Sequence, residues 1–80
     1  MLTENEIIQL KNNSEQVDAV LNLSHDIIMA NRTSLFESGQ YSLHHAFDKI
    51  DTEALNAMVK ARDSLLAYAE LAEALNKLKN

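Results

Sequence analysis

Cysteine and proline are absent from the 80 residues, and glycine occurs once, at Gly39. Without cysteine the chain has no disulfide, no thiolate metal ligand and no thiol nucleophile, and it fits a reducing cytoplasm. The two residue types that most often break regular structure are nearly missing, which predicts long uninterrupted helices around one real break. Four aromatics, Phe36, Tyr41, Phe47 and Tyr68, are too few for an all-β core. No apolar run approaches the roughly 18 residues of a membrane span. The start, Met1 to Glu6, is acidic and lacks the basic n-region of a signal peptide. A cytoplasmic protein with no membrane contact is the expectation, and Asn31-Arg32-Thr33 is read as a chance match to the glycosylation pattern.

What is present bounds the molecule further. Eighty residues make one domain, 1–80. A chain this short buries only about 60% of its unfolded surface, and disulfides, a metal or a partner subunit usually support such domains. The net charge of −5 favours solubility and opposes phosphate binding. Residues 1–51 hold eight acids and three bases, whereas residues 52–80 hold four of each. The first half is therefore the solvated or partner-facing element and the second half the packing element. In its size, acidity and asparagine content the chain has the style of accessory proteins carried by phages and plasmids.

Thr3 with Glu6 three residues later forms a capping box, which starts a helix near residue 3. Lys11-Asn12-Asn13-Ser14 interrupts the apolar pattern. Either one helix runs through it or a second begins with Asn13 as cap and Gln16 three positions on, and one long helix, about 3–31, is the preferred reading. Val17, Val20, Leu21, Ile27 and Ile28 fall on one face, Leu23 widens it, and Ser24 at its centre leaves room for a close helix. Residues 32–42 lack a helical stripe and contain the only glycine, so they read as the connection. A short helix, 43–50, carries Leu43, Phe47 and Ile50 on one side. Asp51 or Thr52 then caps the strongest helix, 52–79, rich in Ala, Leu, Lys and Glu. Its a/d-like seam is Ala54, Met58, Ala61, Leu65, Tyr68, Ala72 and Leu75, extended on one flank by Leu55, Val59, Leu66 and Ala69 and on the other by Leu71 and Leu78.

That apolar arc covers at least half the helix, whereas a helix lying on one partner needs only about 100°. The excess predicts a second contact surface. The fold expected is all-α: a helical hairpin of two long helices with a short helix in the connection, assembled as a dimeric helical bundle. Leu55, Val59, Leu66, Leu71 and Leu78 are the candidate self-association residues. Met29, Leu35, Phe36 and Tyr41 are candidate contacts for a second protein.

Chemistry is weakly represented. His44 and Asp48 share a helical face, and His45 and His25-Asp26 add possible ligands, but adjacent histidines diverge by about 100° on a helix, and a metal needs three or four converging donors. Ser42, His45 and Asp48 supply the letters of a triad without a glycine-rich elbow or oxyanion loop. No enzyme activity, cofactor or metal is expected. Residues 33–50 can be read as a helix-turn-helix turning at Ser38-Gly39-Gln40, but the recognition helix would carry Lys49 alone, opposed by Asp48. A DNA-associated regulator, or an acidic nucleic-acid mimic, is thus the alternative to the main expectation, a non-enzymatic adaptor, inhibitor or regulator that acts through protein contacts.

Overall fold

The computed structural model describes residues 1–79 and contains two α-helices, α1 (Glu4–Glu37) and α2 (Tyr41–Lys79), with no strand among the described residues. The helices are 34 and 39 residues long. They run antiparallel: Asn76 Nδ2 donates to the Leu2 carbonyl at the open end, Lys11 meets Glu73, Arg62 meets Asp18, and Arg32 meets Asp48 towards the turn. The hairpin is a single layer, 62 × 17 × 11 Å.

The first cap is the one the sequence predicts. The Thr3 hydroxyl accepts from Glu6 N–H at 3.1 Å while the Glu6 carboxylate accepts from Thr3 N–H at 2.9 Å. α1 then crosses Lys11 to Ser14 without interruption, in line with the one-helix reading. It ends in a Schellman motif: Gln40 N–H donates to the Leu35 carbonyl at 2.9 Å and Gly39 N–H to the Phe36 carbonyl at 3.1 Å. That closure needs a left-handed residue, and Gly39 supplies it at φ +77°.

Two boundaries differ from expectation. The connection is residues 38–40, not 32–42, because α1 runs on to Glu37; before Gly39 nothing stops it, and Arg32 and Leu35 stay turned towards α2. No separate helix occupies 43–50, since α2 is continuous from Tyr41. Thr52, expected as a cap, instead donates its hydroxyl to the Asp48 carbonyl at 2.9 Å, four residues back. This back-bonding satisfies the hydroxyl inside a helix, so Thr52 does not start one.

The packed seam follows a heptad. On α1, Ile7, Ser14, Leu21, Ile28 and Leu35 recur every seven residues and all are buried or half-buried. On α2 the inward positions are His44, Asp48, Asp51, Leu55, Met58, Arg62, Leu65, Ala69, Ala72 and Asn76, in alternating steps of four and three. A 3.5-residue repeat winds two helices into a left-handed supercoil. Relative to the seam expected from sequence, α2 is rotated: Met58, Leu65 and Ala72 face inward, but Ala61, Tyr68 and Leu75 are exposed. The reason is visible in Ser14, which is 4% exposed and donates its hydroxyl to the Arg62 carbonyl at 2.8 Å. A serine there lets the α2 backbone come close, and the Arg62 side chain turns aside to Asp18.

Candidate functional site

The seam leaves the hairpin with two unlike broad faces. One is ionic. On it Lys11 Nζ binds the Glu73 carboxylate at 2.7 Å, Arg62 binds Asp18 at 2.7 Å and Asp63 at 2.9 Å, and Lys77 lies 3.8 Å from Glu73. The hydrogen bond from Lys11 holds the Glu73 carboxyl below its ordinary range, and Glu73 in turn raises the Lys11 ammonium. Hydrogen bonds to Asp18 and then Asp63 raise the Arg62 guanidinium. These are solvated pairs, and each contributes little to stability.

The other face is apolar. Along α2 a second row runs outward in heptad steps: Leu43, Phe47, Ile50, Ala54, Ala57, Ala61, Ser64, Tyr68, Leu71, Leu75 and Leu78. Every one is exposed except half-buried Ala54. Leu71 is 73% exposed and Leu78 85%. On the same side α1 contributes Val20, which borders an open groove with Val17 and Met58. Leu23 and Ile27 follow Val20 on that stripe, and all three are exposed. Between Leu2 and Glu6 at the open end and Tyr68, Leu71 and Leu75 of α2 lies a groove of about 430 Å³. Towards its N-terminus this stripe of α1 turns polar, through Asn13, Gln9 and Glu6.

The candidate residues distribute over both faces and the seam. Leu71 and Leu78 lie together on the apolar face. Leu55 and Val59 are half-buried at the seam and its edge. Leu66, 40% exposed, borders the ionic side beside Lys11, Asp18 and Arg62. Of the proposed partner contacts, Leu35 is half-buried in the seam. Phe36 and Tyr41 pack edge to face across the turn at 5.5 Å, and His44 meets the Phe36 ring at 5.8 Å. Met29 accepts a long contact from Arg32 Nη1 at 3.8 Å.

Sequence reasoning missed Leu43, Phe47 and Ile50 as the continuation of the Tyr68 and Leu75 row. It assigned them to a separate helix, and the signal that joins them is their unbroken heptad phase. It also missed Ser14 and Asp51 as buried seam residues, the latter 7% exposed with Oδ2 lacking a hydrogen-bond partner. Ser42 and His45 are exposed, and Asp48 is engaged by Arg32. Among the described residues no three His, Asp or Glu side chains gather as a metal would require. No helix is long and apolar enough to cross a membrane. No family model, curated protein or solved structure matches the chain.

Proposed function

We propose that this protein is a non-enzymatic protein-interaction module, an adaptor, inhibitor or regulator in the cytoplasm, which assembles as a homodimer and presents the remaining helical surface to a second protein. The observation that carries the reading is the uncharged outward row of α2 from Leu43 to Leu78. Monomeric proteins rarely leave contiguous apolar patches beyond a few hundred Å², and here the exposed apolar surface exceeds the buried core, which is Ile7, Leu21 and Ala69. The two grooves beside Tyr68 and Met58 are open and carry no converging acid, base and nucleophile, so they suit side chains of a partner rather than a reacting substrate.

The test is capture from the native host with wild-type protein and with Tyr41→Glu in parallel, since Tyr41 is exposed at the turn and outside the outward row. A partner held by the wild type and lost by a folded Tyr41→Glu variant supports the reading. Retention on DNA that weakens steeply with salt supports the DNA-associated alternative. The turn region argues against that alternative, because Arg32 pairs with Asp48 and Phe36 with His44 across the turn. The two flanking helices fold back on each other instead of leaving one free to enter a groove.

A further inference from the structure

We infer that the outward row of α2 is the docking site for the α2 helix of a second copy, packed antiparallel with the two-fold axis between Ala61 and Ser64. This deepens the interaction reading above and rests on it. Three observations point to the occupant. The first is phase. The row keeps alternating steps of three and four residues over its whole length, the same repeat that packs α2 on α1. Scattered exposed leucines have no reason to do so, and a coiled-coil seam must. The second is extent. From Leu43 to Leu78 the row is about 52 Å long at 1.5 Å per residue. A partner must offer an apolar helix of equal length, and this chain contains one. A strip of that length and about 10 Å wide gives on the order of 500 Å² per copy. With Val20, Leu23 and Ile27 of α1 beside it, the pair exceeds the roughly 1,000 Å² that a specific interface needs. The row carries no charge, so it selects no oppositely charged partner, and two acidic chains meet here without repulsion at the contact.

The third observation is the order of large and small side chains. Ala54, Ala57, Ala61 and Ser64 occupy the middle of the row, and the large residues lie at its ends. A parallel pair would stack Tyr68 on Tyr68 and Ala57 on Ala57, so layers of very different width would follow one another. The antiparallel register places Ala57 opposite Tyr68 and Ala54 opposite Leu71, small against large, between a narrow central Ala61–Ser64 layer and wide outer layers of Ile50 with Leu75 and Phe47 with Leu78, so the width changes gradually along the pair. It also sets the two helix dipoles antiparallel and closes the assembly, since one patch meets its own copy.

The chain has no cysteine, so single cysteines report geometry cleanly. Ala54→Cys mixed with Leu71→Cys is expected to give a disulfide-linked pair on mild oxidation, with neither variant cross-linking efficiently alone. Wild type is expected to sediment at twice the 9.0 kDa chain mass at tens of micromolar, and Ala57→Glu to sediment as a helical monomer. Efficient cross-linking of each variant with itself overturns the antiparallel arrangement. A dimer that survives Ala57→Glu overturns this face as the contact. A folded wild-type monomer overturns the second copy as occupant and the homodimer with it, whereas binding of a second protein is judged separately, by the loss of a captured partner in Tyr41→Glu.

Discussion

Asp51 is the residue at which the seam is least satisfied. It is buried where a heptad ordinarily places a leucine, and its Oδ2 has no partner; Arg32 Nε nearby in the turn half is likewise unpartnered. A buried acceptor without a hydrogen bond costs about 1–3 kcal/mol. Asp51→Leu is therefore expected to stabilise the fold by that amount, measured by urea denaturation at fixed protein concentration. The ionic face makes a pH prediction. The Glu73 carboxyl is held below 4.5 by Lys11, and Glu6 is lowered by the Thr3 backbone N–H and then its hydroxyl. A depressed carboxyl contributes stability that is full above its ordinary range and lost as pH falls through the folded value. The melting temperature should fall on acidification below about pH 4.5, and Glu73→Gln should flatten that limb. For Lys11, raised above 10.5, the sign reverses: its contribution is full below the ordinary lysine value and fades as pH climbs through the folded one. None of Asp51, Ser14 or Arg62 was legible as a seam residue in the sequence, because polar side chains carry no apolar signal. Only heptad spacing from Ile7 through Ser14 to Leu21 marks the position.

Each helix has its own grammar, and the turn shows how far it can be read. The Thr3 capping box and the sole glycine were plain in the sequence, and both sit where local chemistry demands. The extra helical turns from residues 32 to 37 are not legible in the sequence, because they carry no amphipathic stripe and Arg32 holds the seam by an ion pair to Asp48. The merger of residues 43–50 with 52–79 was hidden by Thr52, whose hydroxyl has two uses, capping or back-bonding, that a sequence does not distinguish. Gly39 at φ +77° has open space around its missing Cβ, so any loss on substitution comes from the backbone alone. Gly39→Ala is expected to destabilise by about 1–2 kcal/mol and Gly39→Asn by less, since asparagine tolerates the left-handed region. Chemical denaturation of the three proteins side by side checks this ordering.

For the whole molecule the decisive contrast is between its two faces. Leu66 borders salt bridges and Leu71 lies in the apolar row. The sequence indicated that α2 has more apolar surface than one neighbour covers, but not which leucine falls on which side, because that depends on a rotation set by Ser14. Leu71→Glu is expected to shift sedimentation equilibrium towards the 9.0 kDa species, and Leu66→Glu to leave association nearly unchanged while lowering the melting temperature modestly. Equal dissociation by both would mean the ionic face also binds. The single-layer outline has a consequence for scattering in solution. A slab 62 Å long and 11 Å thick that pairs flat along its length doubles its mass while hardly extending its longest chord. Small-angle X-ray scattering across a dilution series should therefore show the forward intensity per unit mass rising twofold as the maximum dimension stays nearly constant, with growth confined to the cross-section. End-to-end association would lengthen that chord instead, so a single curve at high concentration separates a thickened rod from an elongated one.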